Sequence, residues 1–126
     1  MYIFDLDGTL AETRENRKLP PDKLIRDTFN IYFKKYVEKN KIYIVSGRSE
    51  KQRHSVIKFL YRNNIYNHRL ILNDLPFPKP PNHEYKRIIF QRLLDEWQTI
   101  DGVFDDNPAV GDVCKDLSIP FYLVQS

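Results

Sequence analysis

Two aspartates one residue apart, Asp5 and Asp7, stand where the apolar run Tyr2-Ile3-Phe4 ends, and Gly8 and Thr9 follow at once. The run reads as a short buried strand, with Gly8 supplying the turn that closes it. In open α/β sheets ligands bind at the carboxyl ends of the strands, so both carboxylates fall where chemistry is done. A carboxylate is ionised at neutral pH and can act as a nucleophile without a base. A chain of average composition contains Asp-x-Asp-Gly-Thr by accident about once in a thousand. A plain turn uses the same residue types. A calcium loop would need further oxygen ligands and a closing Glu, whereas Ala11, Arg14 and Arg17 occupy that region.

Three later stretches carry matching chemistry. Ser46-Gly47-Arg48 follows a second apolar run, Ile42 to Val45, where a hydroxyl and the first N–H groups of a following helix can cradle phosphate. Lys86 sits one turn into an apolar-striped helix, although a solvated side chain is the ordinary fate of a lysine there. Lys79 is its rival, in the proline-locked loop Leu75 to Pro81. Asp105-Asp106 ends a further apolar run. Adjacent like charges repel, so such a pair implies full exposure or a shared cation. Hard oxygen donors from Asp5, Asp7, Asp105 and Asp106 suit Mg2+, which takes few protein ligands and keeps waters.

Asp5-Leu6-Asp7-Gly8-Thr9-Leu10 resembles the first motif of the haloacid-dehalogenase-like (HAD) phosphohydrolase superfamily. The whole chain resembles the small phosphatases related to the 3′-phosphatase half of phage-type polynucleotide kinase. The likeness rests on Ile-Val-Ser-Gly-Arg, Glu-Tyr-Lys, Phe-Asp-Asp-Asn and the closing Phe-Tyr-Leu-Val. It implies that Asp5 is the nucleophile, forming an aspartyl-phosphate. Asp7 would protonate the leaving oxygen and then activate water. Ser46 would hold a phosphoryl oxygen and Lys86 would offset charge, with Gly8, Thr9, Gly47 and Arg48 touching substrate. Mg2+ would be held by Asp5, the Asp7 carbonyl, and Asp105 or Asp106. The chain departs from that branch at Asn107, where Arg is common, and at Asn73-Asp74, where Met-Arg is seen.

Other chemistries fit less well. Response-regulator receivers carry the acidic pair first and the accepting Asp third, the reverse of the order here. Pro120 stands where a Cys114-based Cys-x5-Arg loop needs Arg, no Gly-x4-Gly-Lys-[Ser/Thr] loop is present, and His54, His68 and His83 lack metal-ligand spacing.

These groups need a scaffold. Strands are expected at Tyr2 to Phe4, Ile42 to Val45, Leu70 to Leu72, Gly102 to Phe104 and Phe121 to Val124. Helices are expected from an Asp22 cap to about Lys39, from a Ser49 cap to about Arg62, from about His83 to Trp97, and from about Pro108 to Leu117. The third helix should bury Ile88, Ile89, Leu93 and Trp97. Lys34, Lys35, Lys39 and Lys41 read as a solvated face. Alternating strands and helices predict an α/β, three-layer, Rossmann-like five-stranded parallel sheet. Its 126 residues make one domain, 1–126, with no room for a sizeable cap.

Lys plus Arg is 20 and Asp plus Glu is 17, a net charge of +3 that tolerates a polyanionic substrate without requiring one. The single cysteine allows no internal disulfide and points to a reducing compartment. No run is long enough to span a membrane, and the first strand starts directly after Met1, so a cytoplasmic protein without a signal peptide is expected. An open site suits a substrate that covers it, such as a nucleic-acid 3′ end, or closure by a neighbouring subunit. The leading expectation is a Mg2+-dependent phosphomonoester hydrolase for polynucleotide 3′-phosphates or nucleotides. The alternatives are a capless phosphatase for a small metabolite and, last, an inactive nucleic-acid-binding or scaffold domain.

Overall fold

Five short apolar segments pair in parallel in the structure, a computed structural model that describes residues 1–125. They are β1 (Tyr2–Phe4), β2 (Ile42–Ser49), β3 (Arg69–Asn73), β4 (Gly102–Asp105) and β5 (Phe121–Leu123), in the order β3-β2-β1-β4-β5. β1 is central: Tyr2, Ile3 and Phe4 pair with Ile42, Tyr43 and Ile44 on one side and with Gly102, Val103 and Phe104 on the other. The chain builds outward from β1 to β3, then crosses back to start β4 on the opposite flank. That reversal puts a topological switch point between β1 and β4, where such sheets open a ligand crevice.

Successive strand residues face opposite ways, and both faces are apolar. Phe4, Ile44 and Phe104 pack with Phe33 and Phe59 in one layer, while Ile3, Val45 and Val103 pack with Tyr85, Phe90 and Val110 in the other. The first layer of cover comes from α1 (Arg26–Thr28), a π-helical turn Phe29–Phe33 and α2 (Lys34–Val37), together with α3 (Arg53–Arg62). The second comes from α4 (Asn82–Asp95) and α5 (Pro108–Asp116). This is the expected three-layer α/β sandwich, and among the described residues no cap domain interrupts it.

Several local expectations are corrected. Asp22 does not cap the first helix, which begins at Arg26 behind Ile25 with no side-chain cap. Leu24 is held extended by a bridge to Ala11, with Glu12 N–H donating to Lys23 O and Ile25 N–H to Leu10 O. Asp22 lies instead 3.7 Å from Arg14. Ser49 does act as a cap, but of a 3-10 turn, Glu50–Gln52, that leads into α3. β2 runs on through Ser46-Gly47-Arg48, with its register against β3 shifting between Val45 and Ser49.

α4 ends at Asp95, closed by Trp97 N–H on Leu94 O and Gln98 N–H on Leu93 O. Trp97 is therefore outside the helix, in a left-handed conformation and 94% exposed rather than buried. Ile88 is also exposed, because the buried stripe of α4 is Tyr85, Lys86, Ile89, Phe90 and Leu93. Lys34, Lys35, Lys39 and Lys41 are exposed as expected.

Candidate active site at the carboxyl ends of the central strands

The pairing of β1 with β4 brings the first acidic residue to the last pair. Asp5 N–H donates to Phe104 O at 2.9 Å, continuing the ladder one residue past β1. Carboxylate oxygens of Asp5, Asp105 and Asp106 all lie within 4.8 Å of one another. Asp5 and Asp105 are buried and Asp106 is exposed. Gly8 makes this approach possible. It has φ +83, and a Cβ there would stand 2.1 Å from Asp106 Oδ2, so a side chain would displace the acid as well as strain the turn.

Lys86 reaches into the cluster from the first turn of α4. Its Nζ donates to Asp5 Oδ1 at 2.7 Å and to Asp105 Oδ2 at 2.6 Å, and the residue is 1% exposed. Burial opposes its charge, but Asp5 and Asp105 outweigh burial and hold its pKa above the ordinary lysine value. Asp5 responds the other way: burial lifts its pKa to about 6, Lys86 pulls it down and Asp105 pushes it up again. Asp106 is raised too, by partial burial and by Asp5. One ammonium facing three carboxylates leaves the cluster short of positive charge.

Asp7 lies in a different environment. Arg48 Nε donates to its Oδ2 at 2.8 Å and a terminal Arg48 nitrogen to its Oδ1 at 2.7 Å, a bidentate clamp. The other terminal nitrogen of Arg48 reaches Arg17 O, Leu19 O and Gln52 Oε1, tying the loop after β1 to the entrance of α3. Arg17, mostly exposed, approaches Asp7 Oδ2 at 3.7 Å. Ser46 is buried, and its Oγ accepts from Arg48 N–H at 3.1 Å, which shapes the irregular end of β2.

The two clusters share one cavity of about 850 Å3, lined among others by Asp5, Asp7, Ser46, Gly47, Asp105 and Asp106. Lys86 stands behind the acids rather than on the lining, and so do Gly8 and Thr9. Thr9 is fully buried with its hydroxyl donating to Asp5 Oδ2 at 3.1 Å, so it positions Asp5. Gly47 has Asn82 of α4 packed against it, where a Cβ would stand 2.1 Å from Asn82 Oδ1.

Sequence reasoning did not single out Arg17, Lys18, Gln52, Asn82 and Pro80, which also line the cavity. Lys79 lines it as well, with its Nζ donating at 3.0 Å to both Asn73 O and Leu75 O. The two departures from the resembled pattern have local roles: Asn73 Oδ1 accepts from Leu75 N–H, and Asn107 caps α5 by accepting from Ala109 N–H. Cys114 is buried, and burial pushes its thiol up to about 12, which suits a packing residue. Among the described residues no helix is long and apolar enough to cross a membrane.

The acidic cluster fits a hard divalent cation. All its donors are carboxylate oxygens, they converge, and they carry more negative charge than Lys86 neutralises. Asp7 does not add its carboxylate to that set, since both oxygens face Arg48. Only its carbonyl is left for such a role. The arrangement places a buried carboxylate backed by a fixed ammonium, and an arginine-held carboxylate, at one opening.

Comparison with known proteins bears on the family and the fold. The family model for the polynucleotide kinase PNKP phosphatase domain matches residues 1–126. No curated protein matches the sequence. Among solved structures, a chain in the structure of the Pnkp1/Rnl/Hen1 RNA repair complex superposes with a TM-score of 0.78 at 21% identity, covering 98% of this chain. A chain in another structure of the Pnkp1/Rnl/Hen1 complex gives 0.82 at 23% identity over 97%. At such identities the likeness is one of fold. The present chain spans 41% and 44% of the lengths of those two chains.

Proposed function

The chain belongs to the polynucleotide kinase PNKP phosphatase domain family, and from that premise we propose that it is a Mg2+-dependent phosphomonoester hydrolase acting on polynucleotide 3′-phosphate ends or nucleotides. The observation that carries the reading is the convergence of Asp5, Lys86, Asp105 and Asp106 in an open, cap-free cavity. A phosphatase activity follows from the family. The substrate, the metal, the covalent intermediate and a cytoplasmic setting belong to the proposal.

Asp5 attacks phosphorus and becomes an aspartyl-phosphate while the ester oxygen leaves. Lys86 is already oriented on Asp5 and Asp105, so its charge offsets the repulsion between carboxylate and phosphate without reorganisation. Bound Mg2+, held by Asp5, the Asp7 carbonyl and Asp105 or Asp106, would supply a Lewis acid beside the transferring group. Asp7 gives a proton to the leaving oxygen and then takes one from the water that hydrolyses the intermediate. Its oxygens both accept from Arg48, so this work requires the guanidinium to shift. An incoming phosphoryl group offers Arg48 another bidentate acceptor. Ser46 and the neighbouring N–H groups take the remaining phosphoryl oxygens.

The test is phosphate release with and without Mg2+ from a 3′-phosphorylated oligonucleotide, a nucleotide set and a panel of small phosphate esters. Preference for the oligonucleotide is the expected result. Preference for a single small metabolite would replace the substrate while leaving the chemistry. No release from any of them would leave the inactive binding domain.

A further inference from the structure

Two aromatic side chains are almost fully exposed, Phe77 at 91% and Trp97 at 94%. Their positions differ. Trp97 follows α4, fifteen residues beyond Asn82 on the cavity wall, or about 20 Å away along a helix. Phe77 is two residues from Lys79 and three from Pro80, both of which line the cavity, so it stands within about 7 Å of the rim by chain length alone.

The loop that carries Phe77 is held in place. Pro76, Pro78, Pro80 and Pro81 restrict its backbone. Leu75 packs against the core below, and Lys79 Nζ staples the loop to Asn73 O and Leu75 O. At the far end Asn82 seats against Gly47. A segment fixed at both ends nevertheless presents its large apolar ring to solvent. No intramolecular packing accounts for that, and water penalises it. An aromatic ring beside an opening whose wall carries Arg17, Lys18 and Lys79 is what a splayed nucleobase needs, and every base offers a face to it. Arg17, Lys18 and Lys79 on the same cavity give the backbone of a strand its counter-charges.

We infer that Phe77 is a stacking platform for one base of a single-stranded nucleic acid whose terminal phosphate occupies the cavity. The inference rests on the polynucleotide reading above and extends it from the phosphate to the strand. Because the loop is already ordered, stacking requires little further loss of freedom. Recognition at Phe77 is indifferent to base identity, and it acts on binding rather than on the chemical step.

The experiment measures kcat and KM for wild type, Phe77→Ala, Phe77→Trp and Phe77→Leu on a 3′-phosphorylated oligonucleotide and on p-nitrophenyl phosphate. Phe77→Ala should raise KM for the oligonucleotide about tenfold, the scale of one lost base–aromatic stack. It should leave kcat and the small ester unchanged. Phe77→Trp should restore the oligonucleotide KM and Phe77→Leu should not, which separates stacking from general apolar contact. Oligonucleotides abasic at each of the last three positions complete the test. Removing one particular base should cost wild type about tenfold and cost Phe77→Ala nothing further, since the two deletions remove one contact.

If wild type prefers the oligonucleotide but Phe77→Ala matches it at every position, Phe77 lies off the substrate path and the inference is wrong. A loss shared equally by both substrates would mark a cavity-wall defect and also overturn it. If wild type shows no preference for the oligonucleotide, the polynucleotide reading fails and this inference falls with it.

Discussion

Asp5 and Asp7 are two residues apart on one turn, both buried in one cavity, yet their surroundings are opposite. Asp5 shares one ammonium with Asp105 and stands beside Asp106, so negative charge is in excess. Asp7 takes two nitrogens of one guanidinium, with a second arginine nearby. The first arrangement is strained without a cation or a substrate to relieve it. The second is satisfied as it stands, and it also ties two loops together. The contrast teaches that a motif can place one residue for reaction and its neighbour under restraint, through cations delivered from distant elements.

Removing the Asp5 charge should break the comparison most visibly. Asp5→Asn is expected to abolish turnover, because an amide does not attack phosphorus. In metal-free protein it should not lower the melting temperature, since a crowded charge is removed and Lys86 keeps Asp105. Added Mg2+ should raise the melting temperature of wild type and much less that of the variant. Calorimetry with and without Mg2+ checks both statements.

The lysines come next. Lys86→Ala should cost at least ~100-fold in kcat, comparable to losing one fixed oxyanion donor. Lys79→Ala should act on KM alone, and more for an oligonucleotide than for a small ester, because Lys79 grips only carbonyls on the cavity wall. Steady-state kinetics on both substrates separate them. An inactive Lys79→Ala beside a near-normal Lys86→Ala would reverse the assignment.

On the restrained side, Arg48→Ala leaves Asp7 buried without its clamp and unties the loop at Arg17 and Leu19. Breaking a buried pair in this way costs about 3 kcal/mol. Urea unfolding should show that loss, whereas Asp5→Asn should show none.

The smallest expected effect is one of pH. Burial lifts the folded pKa of Asp5 to about 6 from an ordinary 3.8, so between those values the folded state binds more protons than the unfolded. Stability of the metal-free protein from this group is therefore present below about pH 4 and is lost as pH rises towards 6. The full change is about 3 kcal/mol at most. Asp5→Asn should lack this slope, and denaturation across pH 4 to 7 measures it.

Much of the scaffold was legible because its strands are apolar runs buried on both faces, so Tyr2 to Phe4, Ile42 to Val45 and Gly102 to Phe104 announce themselves without alternation. The meeting of Asp5 with Asp105 and Asp106 follows once β1 and β4 are neighbours. What escaped depends on contacts remote in the chain. Asp22 looks like a cap until the Ala11–Leu24 bridge holds the segment extended. The strand character of Ser46 to Ser49 is hidden by its polar residues, of which Ser49 pairs with Asn73 of β3 beyond a shift in register. Arg48 reads as a phosphate ligand, and only the folded loop shows that Asp7 reaches its guanidinium first. Trp97 fits the spacing of a helical stripe, but the C-terminal turn of α4 closes before it.

The central claim, that Asp5 is the nucleophile and Asp7 its acid–base partner, is tested most directly by trapping the phosphoryl enzyme. Wild type and Asp7→Asn are mixed with an oligonucleotide bearing a radiolabelled 3′-phosphate, quenched in acid early in turnover, and mapped by peptide mass spectrometry. The account predicts label on the peptide containing Asp5 in wild type, slower appearance and slower loss of that label in Asp7→Asn because Asp7 serves both steps, and none in Asp5→Asn. Label on another residue, or rapid phosphate release by Asp5→Asn, would contradict it.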